Sequence, residues 1–298
     1  MSLYTILVPR EVNSTVTSVM LLNMKFVEVI SKVNQFDEIR FDFSKTQWVD
    51  AEMTVALAMM LEISLLTVET VSVDNDNINE ELKTILRKNN FFPQYGIASK
   101  LFDTYGTTIN FFANIASNDK LIYEYIHEEV FPSIRGNISQ DFLKEVSYCI
   151  FELVHNVTEH SNSERVYMCG QHYPQKRILR LAISDIGLGL PSKIKEKNPH
   201  IVSDTAAVEW ALEEGNTTKR GAEGGIGLYS VRDKLLDRGV LKVISNQAYY
   251  EIKSNGSVMS QTMPERFRGT LIILEFDIKK CLKSRESGKI FNNESLGF

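Results

Sequence analysis

Residues 142–157 place apolar side chains at Phe142, Val146, Cys149, Ile150, Leu153 and Val157. That is the 3.6-residue repeat of a helix with one buried stripe. Glu152, Asn156 and His160 stand four apart on one row along the stripe's edge, because positions i, i+4 and i+8 stack on a helix surface. Ser139 precedes the stripe and suits an N-cap. Further upstream, residues 1–95 alternate two patterns. Strands are expected at 4–9, at 38–44 (Ile39, Phe41 and Phe43 alternating with polar residues) and at 67–74. Helices are expected at 15–33, from Asp50 through Val55, Leu57, Met59 and Leu61, and at 78–89. This βαβα order predicts a small layered α/β domain.

Residues 96–137 are less regular and read as a connecting segment, with a strand at 107–112 and a helix at 118–130 before Pro132. A second domain is expected over 138–280 and a polar tail over 281–298. Within the second domain, 164–185 reads as a hairpin turning at residues 173–176. Residues 187–191 and 215–227 are glycine-rich, and 204–213 and 226–238 look helical. A strand pair is expected at 241–253 and a last central strand at 269–278. The predicted class is α/β, each unit an α+β two-layer sandwich of helices on a sheet.

Composition narrows the functions. The chain has 298 residues, 43% hydrophobic and 24% charged, enough for two cores. A net charge of −5 offers no general attraction to nucleic acid or an anionic membrane, so a small ligand or another protein is the expected partner. No apolar run approaches the ~20 residues of a membrane span. The first residues lack a signal-peptide pattern, so a cytoplasmic location is expected. The three cysteines are far apart; Cys149 and Cys169 fall in apolar segments and read as reduced core thiols. Met53, Met59 and Met60 read as core.

Chemistry concentrates in the second half. Leu179, Leu181 and Ile183 share one strand face, and Asp185 is the next residue on it. A carboxylate continuing an inward apolar row needs a hydrogen-bond partner. It stands directly before Gly187-Leu188-Gly189, where glycines permit close backbone approach to a ligand. An acceptor carboxylate at the back of an apolar slot matches the flat face and exocyclic amino group of adenine. A second cluster, Gly221 to Gly227, leads into a helix, a place where free backbone N–H groups can hold phosphate. It fits neither the Lys/Ser-bearing P-loop nor a dinucleotide fingerprint. Taken singly, Glu152 and Asn156 could be a hydrogen-bonded pair at a core border, and Lys219 and Arg220 a solvated face.

The order of these parts carries a resemblance. Glu152…Asn156…His160, then Asp185-Ile-Gly-Leu-Gly-Leu-Pro191, then Gly225-Ile226-Gly227-Leu228, then Gly269-Thr270 is similar to the GHKL ATPase superfamily. That superfamily includes DNA gyrase, the heat-shock chaperone ATPases, histidine kinases and MutL. The resemblance covers residues 138–278 and implies a Bergerat fold, a helix layer over a mixed sheet with ATP between them. It implies that Asn156 coordinates Mg²⁺, that Glu152 polarises the attacking water or hydroxyl, and that Asp185 accepts from the adenine amino group with help from Thr270. Gly187 and Gly189 would let the chain pass the nucleotide; Gly225, Ile226, Gly227 and Leu228 would meet the phosphates. Residues 192–224 would form a lid, with Thr217, Thr218, Lys219 and Arg220 as candidates for the γ-phosphate.

The carboxylate four residues before Asn156 is similar to hydrolysing members and to anti-sigma-factor serine kinases. Glu223 departs from the fuller glycine pattern of the lid. A fainter resemblance in the first half, at residues 38–61, is to STAS domains, the partners that anti-sigma kinases phosphorylate. Asp50-Ala51-Glu52-Met53 stands where those domains often read Asp-Ser-Ser-Gly, so Glu52 would replace the acceptor serine by a fixed charge. The expected activity is a regulatory ATPase that hydrolyses Mg-ATP as a conformational switch. The alternatives are a serine/threonine kinase acting on a separate partner and a nucleotide-binding module without turnover. A protein partner is implied, and a homodimer is among the assemblies the superfamily uses.

Overall fold

The computed structural model describes residues 1–75, 77–134, 138–216 and 227–281, apart from the side chains of His160 and Cys281. The first part begins with β1 (Leu3–Leu7), β2 (Glu11–Val12), α1 (Val16–Ile30), β3 (Glu38–Asp42), β4 (Trp48–Val49), α2 (Thr54–Thr67) and β5 (Thr70–Asp74). β1, β3 and β5 form a parallel three-stranded sheet in that order, and β2 and β4 a short parallel ladder beside it. Every residue from Thr54 to Leu61 is buried. A helix apolar all round is one covered on all sides, and α2 is covered because it lies between two sheets.

Then come α3 (Glu80–Lys88), α4 (Phe91–Gln94), β6 (Thr108–Ile115), α5 (Asp119–Tyr125) and α6 (Phe131–Ser133). The segment that reads as a connection therefore contributes a strand, β6, to the second sheet. Phe91 and Phe111 meet edge to face at 5.5 Å and tie α4 to that strand. The remaining elements are α7 (Gln140–Asn156), β7 (Arg165–Tyr173), β8 (Ile178–Asp185), α8 (Leu190–Lys197), α9 (Asp204–Ala211), α10 (Gly227–Leu235), β9 (Gly239–Ile252) and β10 (Val258–Asp277). The second sheet runs β6-β7-β8-β10-β9 and all its pairs are antiparallel. This differs from the mixed sheet that the resemblance implies, because apolar periodicity carries no strand direction. Residues 241–253 are not a strand pair but most of the single strand β9, which pairs with β10.

The α/β class is as expected, and the layers continue through the molecule. On one sheet face Met168, Leu181, Ile183, Val243, Ile272 and Leu274 join the helix layer of α7 and α10. On the opposite face Tyr167, Cys169, Ala182, Ile244, Leu271 and Ile273 join α1 and α2 in one core. Met53, Met59, Met60 and the free thiols of Cys149 and Cys169 are buried. Among the described residues no helix is long and apolar enough to cross a membrane.

Candidate functional site

α7 is capped by the Ser139 hydroxyl, which accepts from Phe142 N at 3.2 Å. It ends at Asn156 and continues as one π turn, Val157–Ser161. The predicted stripe is buried, which leaves Glu152 and Asn156 half-buried along its edge. Tyr148, one turn before Glu152, lies close to both Glu152 and Ser230 of α10, and burial raises its phenol above the usual value. α10 begins at Gly227, where an added Cβ would lie 3.7 Å from Asn156 Oδ1. Gly227, the first described residue of α10, thus sits beside the carboxamide, at the end of the helix that carries the positive dipole.

Asp185 closes β8 on the face that α7 covers and is 4% exposed. Burial pushes its carboxyl up to about 6, against the downward pull of the Gly187 amide and of the nearby Ser161 hydroxyl. The Gly187 amide donates to Asp185 Oδ1 at 2.7 Å. Across the ladder Asp185 pairs with Thr270 of β10. The Thr270 hydroxyl accepts from Leu190 N at 3.1 Å and lies 2.9 Å from Ser245 Oγ. Gly189 adopts φ +84°, and a Cβ there would collide with Asn246 Oδ1; only glycine serves both conditions. α8 and α9 share a small core of Ile194, Ile201 and Ala207. They are held to β9 where Gln247 N donates to Asp204 Oδ2 at 2.9 Å.

The predicted residues thus gather into two neighbouring groups. Glu152, Asn156 and Gly227 form one; Asp185, Gly187, Gly189 and Thr270 form the other. Leu228 is a core side chain of the helix layer, 7% exposed, so only its backbone is available to a ligand. Thr218, Lys219, Gly225 and Ile226, with Thr217 and Arg220, lie outside the described residues, as does the side chain of His160. Sequence reasoning missed Tyr148, Ser161 and Ser245. Tyr148 was findable, since it opens the Glu152–Asn156 row one turn earlier. Ser245 was not, because its meeting with Thr270 depends on strand pairing.

Glu52 lies elsewhere. It is fully buried on the opposite sheet face, with its Oε1 3.3 Å from Arg180 Nη1. Asp50 reaches the same nitrogen at 3.4 Å, and Glu275 binds Arg180 Nε at 2.6 Å. The Tyr173 ring lies 5.5 Å beneath the guanidinium. Burial and the Asp50 charge push Glu52 up to about 7 in spite of Arg180.

For cofactors, no group of three or more His, Cys, Asp or Glu that could hold a metal occurs among the described residues. The half-buried Asn156 carboxamide offers one oxygen of the kind that Mg²⁺ takes. No protein-family model matches the chain, and no curated protein matches its sequence.

Proposed function

We propose that the chain binds Mg-ATP in a GHKL-type site between α7, α10 and the ends of β8 and β10, and hydrolyses it as a conformational switch. One observation carries the reading: the first residue of α10 converges on the Asn156 carboxamide, which creates an anion-favouring helix start beside an oxygen ligand. Asp185 then accepts from the exocyclic amino group of adenine, and Thr270 assists through a water. Asn156 holds Mg²⁺ through its carboxamide oxygen. When bound, the ion neutralises phosphate charge. Glu152 orients the attacking water as general base, with the Tyr148 phenol beside its carboxylate.

Residues 1–95 belong to this proposal as a STAS-like module in a cytoplasmic protein. Burial of Glu52 against Arg180, on the face away from Asn156, supports a structural role for that module over one as a phosphate acceptor. The test is incubation with Mg²⁺ and γ-labelled ATP, with Glu152→Ala as control. Free labelled phosphate that disappears in the variant is the expected result. Label on a partner protein makes the activity a kinase, and ATP binding without label movement in either protein leaves a binding module. No ATP binding at all overturns the site.

A further inference from the structure

The turn that follows Asp185 is clamped by a residue outside the candidate site. Residues 187–192 lead from Asp185 into α8, and Leu190 N is held by the hydroxyls of Ser245 and Thr270. Arg266 of β10 grips the same turn. Its Nη2 donates to Leu188 O at 3.1 Å and lies 3.5 Å from Ser192 Oγ, and its Nε donates to Asn246 Oδ1 at 3.1 Å. Ser192 Oγ in turn donates to Leu188 O at 2.9 Å and accepts from Asn246 Nδ2 at 2.8 Å. Every group in this ring acts in keeping with its chemistry. The hydroxyl gives its one proton to the carbonyl, the carboxamide nitrogen donates to the hydroxyl, and the guanidinium fork supplies the rest.

Arg266 is also tied to the first part of the chain. The pairing of β10 with β9 is interrupted between Thr262 and Phe267. Met263 and Phe267 are buried in the core that contains Leu22 and Phe26 of α1. Between them Glu265 O accepts from Asn23 Nδ2 of α1 at 3.0 Å, and Asn23 is 2% exposed. A buried carboxamide must place its donors, and this bond fixes the interrupted segment against α1. Two adjacent residues thus face two ways: Glu265 binds α1 through its backbone, and Arg266 binds the turn through its side chain.

We propose that Arg266 is a positioning residue for nucleotide binding and that, through Glu265 and Asn23, it couples the turn at 187–192 to α1. The inference rests on the nucleotide-site reading above, because the clamped turn carries Gly187 and Gly189 directly after Asp185. Coupling is reciprocal. If α1 steadies the turn, a nucleotide that orders the turn steadies α1.

The full chain, Arg266→Met, Arg266→Lys and Asn23→Leu are titrated calorimetrically with Mg-ATP, and hydrogen exchange over α1 is followed with and without it. The wild type is expected to bind ATP and to slow exchange in α1. Arg266→Met keeps the stem of an exposed side chain and removes its donors. It is expected to weaken ATP binding about tenfold, the effect of one or two hydrogen bonds, and to abolish the slowing. Arg266→Lys keeps the charge without the fork and is expected to match the methionine variant. Asn23→Leu is expected to weaken ATP binding too, and to add nothing to Arg266→Met in the double variant. If Asn23→Leu does not fold, the exchange readout in Arg266→Met decides. A lysine variant that binds like the wild type would make Arg266 a charge that attracts phosphate, and would overturn the inference. So would ATP binding that leaves exchange in α1 unchanged, slowing that survives in Arg266→Met, or full additivity of the two substitutions. Those four results leave the nucleotide site standing. A wild type that binds no ATP overturns the two together.

Discussion

Asp185 ends a row that is otherwise leucine and isoleucine, and its burial has a thermodynamic consequence. With its carboxyl raised from 3.8 to about 6, the folded state favours the protonated form. That stabilisation is complete below the unfolded value and is lost as pH rises through about 6. Above that the buried charge costs on the order of 3 kcal/mol. Asp185→Asn keeps the shape and an acceptor for the Gly187 amide. It is expected to raise stability by roughly 1–3 kcal/mol near pH 8 and by nothing near pH 3 in denaturant melts, while abolishing ATP binding. A gain equal at both pH values would refute the linkage. Tyr148 makes a separate residue-scale case. Tyr148→Phe keeps the ring under Lys234, 4.8 Å from its centroid, and removes the hydroxyl beside Glu152. The expected result is about a tenfold loss of turnover with ATP affinity unchanged, read by single-turnover kinetics and equilibrium binding. A loss of affinity alone would place Tyr148 in binding rather than in positioning Glu152.

Elements differ in how much of them the chain announces. The α7 stripe and the inward phase of Asp185 follow from period and needed no tertiary information. β9 did not: Asn246 has φ +51°, and register shifts interrupt its pairing with β10 between Thr262 and Thr270. Irregularities of that kind break the two-residue alternation by which one long strand is recognised. Strand direction and the role of β6 stayed hidden for a related reason, since pairing partners are chosen by surfaces far apart in sequence. The glycines separate local from tertiary demands. Gly256, in the β9–β10 turn, has φ +78° with open space around its missing Cβ, so Gly256→Ala is expected to cost about 1 kcal/mol of backbone strain. A Cβ on Gly187 would instead run into the Ser161 backbone. Gly187→Ala must displace the end of α7, and a loss of at least 2–3 kcal/mol together with ATP binding is expected. Equal melting of the two variants would show that the turn is not seated as described.

At the scale of the whole molecule, the core that contains α2 also contains Tyr167, Cys169, Ala182 and Leu271 from the second sheet. Sequence periods suggest two domains with a core each, because they report which faces are apolar and not what covers them. A shared core makes unfolding of either part expose the other, so calorimetry is expected to give one transition, and residues 138–280 expressed alone are expected to aggregate. The charge cluster inside this contact allows a sharper test. Arg180→Met leaves Asp50, Glu52 and Glu275 without their common cation, and removing one partner of a buried pair costs roughly 3–5 kcal/mol. Glu52→Gln acts in the other direction. With Glu52 raised from 4.5 to about 7, its stabilising contribution is present below 4.5 and lost as pH rises through 7, so the amide is expected to be neutral in acid and stabilising near pH 8. Combining the two substitutions removes the fully buried charge as well as the cation, and part of the Arg180→Met loss is expected to return. Strict additivity in that double-mutant cycle would mean that Glu52 and Arg180 do not act on one another, and the charges that join the two parts there would then be Asp50 and Arg180.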